Sequence, residues 1–147
     1  MHVDRLQVKP LTGTLVVPKF GAGNICGAFA IPRSHHTTGV SGADMLLYAA
    51  AAPTEGHAIA WALGCAELHT GRPVVGVINF GPESANDSES SVRVAVHEIA
   101  HTLGFHINVM QRHKMVSHAS GLRGKKTACS LCPHRRYWKR LVRTSTA

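Results

Sequence analysis

The chain has 147 residues, enough for one domain with a core of its own and too few for two comfortable ones. A hydrophobic fraction of 44% and a mean hydropathy near zero exclude wholesale disorder, and no stretch reaches the roughly 18 uncharged apolar residues of a membrane-spanning helix. The net charge of +8 is unevenly spread, since all 8 acidic residues lie at or before Glu98 with only 6 of the 16 Lys and Arg. The surplus therefore belongs to residues 99–147. A basic end can hold phosphate or anionic surfaces, but a solvated segment is the commoner reading. Tyr137 and Trp138 stand alone there, without the aromatic interleaving that base stacking needs, so no specific nucleic-acid partner is expected. Met1-His2-Val3-Asp4-Arg5 has no basic n-region followed by an apolar h-region, so no signal peptide is read.

In chain order, Leu6–Val8 and Leu15–Val17 are β-rich and bounded by Pro10, Gly13 and Pro18, which predicts short strands. Residues 21–27 are turn-rich. The apolar run from Met45 to Ala52, ended by Pro53, predicts a strand buried on both faces. His57 to Cys65 is ambiguous between strand and helix. A turn at Thr70–Pro73 precedes Val74–Phe80, the most strand-like run in the chain. Polar residues 81–91 then offer Asp87, Ser88 and Ser90 as caps for a helix over 88–103, whose Val92, Val96, Ile99 and Leu103 form one apolar stripe. Beyond Gly104 the periodicity fades, and from about Ser120 no pattern predicts a packed core. Cys129 and Cys132 make a lone C-x-x-C, without the second pair of a zinc ribbon.

The chemistry lies on that helix, in His97-Glu98-Ile99-Ala100-His101. Two histidines four residues apart are about 40° apart around a helix axis and about 6 Å apart along it, so both can reach one Zn2+ ion. Zinc takes neutral imidazoles at about 2.0–2.1 Å in a tetrahedral arrangement. On the wheel the apolar stripe falls opposite the histidines, which predicts that the stripe packs while the histidines face a cleft. Glu98, about 100° from His97, sits beside the metal, placed to take a proton from zinc-bound water and hand it to a leaving amine. With 11 histidines in the chain, an accidental H-E-x-x-H has odds of roughly 3%. The capped amphipathic helix around the motif makes accident the weaker reading.

A catalytic zinc needs a third protein ligand. In the pattern H-E-x-x-H-x-x-G-x-x-H, Gly104 falls in place but the third histidine's position holds Ile107. His106 is one residue early, and His113, His118 and His134 serve only if the chain folds back. Each of these is more often a surface histidine, so the third ligand is left unknown.

The helix and the residues before it resemble the leishmanolysin family. The likeness rests on Arg5–Val8, Ile25–Gly27 with Phe29 and Pro32, Asp44–Ala49, Ala60–Ala62, Cys65, Gly71–Asn79 and Val96–Phe105, in matching order and spacing. It extends over residues 1 to about 126. It implies an α+β, metzincin-like catalytic subdomain with a twisted sheet and an active-site helix, lacking most of the C-terminal subdomain. It also implies a zinc metalloendopeptidase acting on protein or peptide substrates, with one zinc held by His97 and His101 and Glu98 as general base. Cys26 and Cys65 look like a family disulfide, which implies an oxidising compartment; free thiols remain open if the chain stays in the cytosol. Family members are secreted or held at the cell surface by a lipid anchor, and are linked with adhesion to host surface proteins.

The departures define the remaining expectations. Residues 1–106 are read as a partial catalytic domain and 107–126 as the start of a family insertion. Residues 127–147 are read as an unstructured basic tail unrelated to the family, expected to be an out-of-frame or truncated end. Met110 and Met115 come too early to form the methionine turn beneath the zinc. The rival reading is a catalytically inactive fragment that acts as a binding module through its basic tail.

Overall fold

The computed structural model describes residues 8–119 and 129–131. The strand expected at Leu6–Val8 and the candidate ligand His134 fall wholly or mostly outside the described residues, as do Cys132 and most of the basic end. Two compact units are present: residues 10–104, and a second unit from Phe105 onward that also takes in Val8 and Lys9.

The first unit is built on a three-stranded sheet of β1 (Leu46–Ala51), β2 (Ala60–Glu67) and β3 (Pro73–Phe80) in the order β1-β3-β2. β1 runs parallel to β3, with Leu46 opposite Val75, and β2 runs antiparallel to β3, with Leu63 opposite Val77. β3 is central and buried from Val74 to Asn79, so its unbroken run of Val and Ile suits a strand covered on both faces. Full burial of Val75 and Val77 contributes about 1.5–3 kcal/mol each. Around Val74 and Val75 the core gathers Leu15 and Val17 with Leu11, Phe20, Ile31, Leu46 and Tyr48. The fold is thus mixed α and β, a small sheet with few helices.

Two expectations need correction, and one open alternative is resolved. Among the described residues β1 is an edge strand, its residues alternating between half-buried and exposed, with Leu47 38% exposed, and it is not buried on both faces. The apolar run misled because its outward positions include Ala49 and Ala51, which expose little surface. Leu15–Val17 forms no strand: Leu15 makes one antiparallel bridge with Val40, and the Val17 amide donates to the His35 carbonyl instead. The ambiguous stretch from His57 resolves as a strand because its residues pair with β3, which tertiary contact decides over alanine's helical preference.

The hairpin between β2 and β3 turns at Gly71, whose φ of 80° lies in the left-handed region that glycine adopts without strain. Asn79, 2% exposed, stops β1 by pairing its side-chain amide with both backbone groups of Ala52, each at 3.0 Å. Cys26 and Cys65 form a disulfide that ties the 3-10 turn Ile25–Ala28 to β2. A short helix α1 (Arg33–Thr37) sets His35 Nδ1 2.7 Å from the Tyr48 hydroxyl and His36 Nδ1 2.9 Å from the Val17 carbonyl. Burial pushes the Tyr48 phenol above its ordinary range.

The long helix α2 (Glu89–Thr102) follows, against β2 and β3. In the second unit a helix α3 (Ile107–Arg112) is followed by β4 (Ser117–Ala119), which pairs antiparallel with β5 (Cys129–Leu131). Strands of three residues are too short to leave a period-two signature in the sequence. No helix among the described residues is long and apolar enough to cross a membrane.

Candidate metal centre

The helix that carries the motif begins at a built cap. The Ser88 hydroxyl accepts from the Ser91 amide at 3.2 Å, and the Asn86 side-chain oxygen accepts from the Ser88 amide and the Ser91 hydroxyl at 3.0 and 2.9 Å. Ser88 was among the candidate caps, and the expected helix over 88–103 is observed at 89–102. Its far end is seated on the sheet by Thr102, 1% exposed, whose hydroxyl donates to the Ile99 carbonyl at 2.8 Å.

Beneath Thr102 lie Gly64 of β2 and Gly76 of β3, directly opposite one another in the sheet register. A Cβ on Gly76 would come within 2.8 Å of the Thr102 Cβ, so only glycine permits this approach. The seating sets the rotation of the helix. The buried positions are Ser91 and Thr102, while Val92 of the expected stripe is 52% exposed and Val96, Ile99 and Leu103 are half-buried. The packed face therefore lies about 100° from the predicted one. The histidines stand on the flank of the helix and not diametrically opposite its core.

On that flank His97 is exposed and His101 half-buried. Their Nε2 atoms converge to 3.1 Å, with the rings 4.7 Å apart between centroids and mutually perpendicular. Two nitrogens bound tetrahedrally to zinc at about 2.0–2.1 Å stand about 3.3–3.4 Å apart. The pair thus fits a shared zinc with a few tenths of an ångström of adjustment. Glu98 is half-buried, on the arc of the helix between the histidines and the sheet.

The other candidate ligands are placed differently. His106 is the N-cap of α3, its Nδ1 accepting from the Asn108 amide at 3.3 Å. Ile107 begins that helix and His113 ends it, both exposed. Among the described residues no three His, Cys, Asp or Glu side chains gather into a metal-holding group. The residues that sequence reasoning missed are Gly64, Gly76 and Thr102. The available signal was Gly76, a glycine inside the most strand-like run, which marks close approach of another backbone.

Comparison with known proteins places the chain as a whole. The profile described as leishmanolysin matches residues 1–137, past Lys126 where the likeness read from the sequence stopped. Leishmanolysin of Leishmania major is 35% identical over 127 residues, covering 85% of this chain and 21% of the relative. A leishmanolysin homolog of Crithidia fasciculata is 37% identical over 126 residues, covering 84% of this chain and 19% of that protein. A ciliated left-right organizer metallopeptidase of Xenopus laevis is 41% identical over 76 residues, 46% of this chain and 11% of its own length. The chain spans about a fifth of the length of the first two of these relatives.

Proposed function

Because the chain belongs to the leishmanolysin family, whose members are surface or secreted metalloproteases, we propose that it carries the zinc-holding helix of an endopeptidase. His97 and His101 are two of the metal's ligands, and Glu98 is the general base. The observation that carries this reading is the convergence of the two Nε2 atoms to 3.1 Å on an exposed flank of α2. Zinc, when bound, polarises the scissile carbonyl and makes water acidic. The helix supplies the rest. Its i, i+4 spacing holds two neutral imidazoles on one centre, and the seating of Thr102 fixes their direction relative to the sheet. Glu98 accepts the proton released as water attacks the carbonyl carbon and passes it to the amine that leaves.

Protein and peptide substrates follow from the family, and contact with host surface proteins in adhesion is part of the same proposal. A catalytic zinc needs three protein ligands, and the described residues bring two together. A zinc held by these two donors alone would bind weakly and support slow cleavage. Zinc titration followed by a peptide-cleavage assay tests this. His97→Ala and His101→Ala should each abolish specific binding, whereas Glu98→Gln should retain zinc and lose the residual cleavage. Zinc bound equally well by the double histidine variant would overturn the proposal. Tight stoichiometric zinc with chelator-sensitive cleavage would show that the chain supplies a third donor.

A further inference from the structure

The turn that leads into α2 contains Asn86-Asp87-Ser88, an N-x-S sequence whose middle residue is not proline. That pattern is the acceptor for asparagine-linked glycosylation wherever it is exposed in a secretory compartment. All three residues are exposed, and the Cys26–Cys65 disulfide belongs to the same oxidising setting. We propose that Asn86 is a glycosylation site on the turn that caps the helix of the candidate metal centre.

The geometry accepts the modification without rebuilding the turn. Asn86 Nδ2 donates to the Glu83 carbonyl at 3.0 Å, and its Oδ1 accepts from the Ser88 amide and the Ser91 hydroxyl. An amide nitrogen carries two hydrogens. In the transfer, Nδ2 forms a bond to the anomeric carbon of a lipid-pyrophosphate-linked oligosaccharide. The bond from that carbon to the phosphate oxygen breaks, the lipid pyrophosphate leaves, and Nδ2 gives up one proton. One N–H remains for Glu83, and Oδ1 keeps both of its donors. The glycan also sits at the end of α2 away from the histidines: Ser88 and His97 are nine positions apart, roughly 13 Å along the axis. It would shield the cap while leaving the metal-facing flank open.

This inference rests on passage through a secretory compartment and not on peptidase activity, so the two fail separately. The whole chain, given a cleavable leader, is translated with eukaryotic microsomes, and the protease-protected fraction is weighed. The expected result is a mass raised by one core oligosaccharide, removed by peptide N-glycosidase. The increase should vanish in Asn86→Gln and Ser88→Ala and persist in Ser88→Thr, which keeps both the acceptor pattern and a capping hydroxyl. An unmodified mass in the protected wild-type chain would overturn the proposal, as would an increase that survives Asn86→Gln.

Discussion

Replacing Gly76 by alanine probes how the sheet positions the metal-holding helix. The added Cβ would lie 2.8 Å from the Thr102 Cβ, 3.0 Å from the Met45 Cε and 3.1 Å from the Thr102 Cγ2. Carbon atoms rest at about 3.5–4.0 Å, so about 0.7 Å or more must be found somewhere. The Met45 methyl is the end of a flexible side chain and can swing away. The Thr102 Cβ cannot, because it is bonded to the helix backbone and the side chain is anchored by its hydrogen bond to Ile99. The helix end must lift, and His101 is the adjacent residue. Overpacking of this kind costs about 1–3 kcal/mol. Gly64→Ala is the internal control: it stands opposite Gly76 in the register, yet its Cβ would meet only the Thr102 carbonyl oxygen at 3.9 Å, an ordinary contact. Urea denaturation should show a loss of stability for Gly76→Ala and a change within about 0.5 kcal/mol for Gly64→Ala, with zinc affinity falling only in the first. Equal effects of the two substitutions on stability and on zinc would refute the seating argument.

Reducing the disulfide by Cys26→Ser with Cys65→Ser should cost about 4 kcal/mol, the loop-closure entropy for a sequence separation of 39 residues, read as a drop in the urea midpoint. Removing the helix cap by Ser88→Ala should cost about 0.5–2 kcal/mol, with Ser88→Thr recovering most of it. Tyr48→Phe should cost about 0.5–1.5 kcal/mol by taking the hydroxyl from His35. It should also change the alkaline limb of stability. The phenol's folded value is raised by burial, so its neutral form stabilises the fold below the unfolded value of 10.0, and that contribution is lost as pH rises through the folded value. Denaturation followed from about pH 8 to about pH 11 should show wild-type stability falling more steeply than that of Tyr48→Phe.

Much of this protein is legible in one dimension where chemistry has a fixed period. The spacing of His97 and His101 alone places two imidazoles on one flank of a helix, because 3.6 residues per turn leaves little freedom, and the convergence of the Nε2 atoms follows. The cap at Ser88 and the strand at Val74–Phe80 are equally local, set by side-chain oxygens near free amides and by an unbroken run of β-branched residues. The pairing of Cys26 with Cys65 entered only as an implication of resemblance, and the disulfide is formed. What the tertiary structure decided is which face of α2 is inside. The apolar stripe through Val92 promised one face, yet the helix turns Ser91 and Thr102 inward because Gly76 in the sheet admits a closer approach there than a valine would allow. Likewise Met45–Ala52 is apolar along its length but lies at a sheet edge, because strand order is set by pairing and not by the strand's own residues. Local periodicity determines which atoms can meet on one element; only packing between elements determines where that element points.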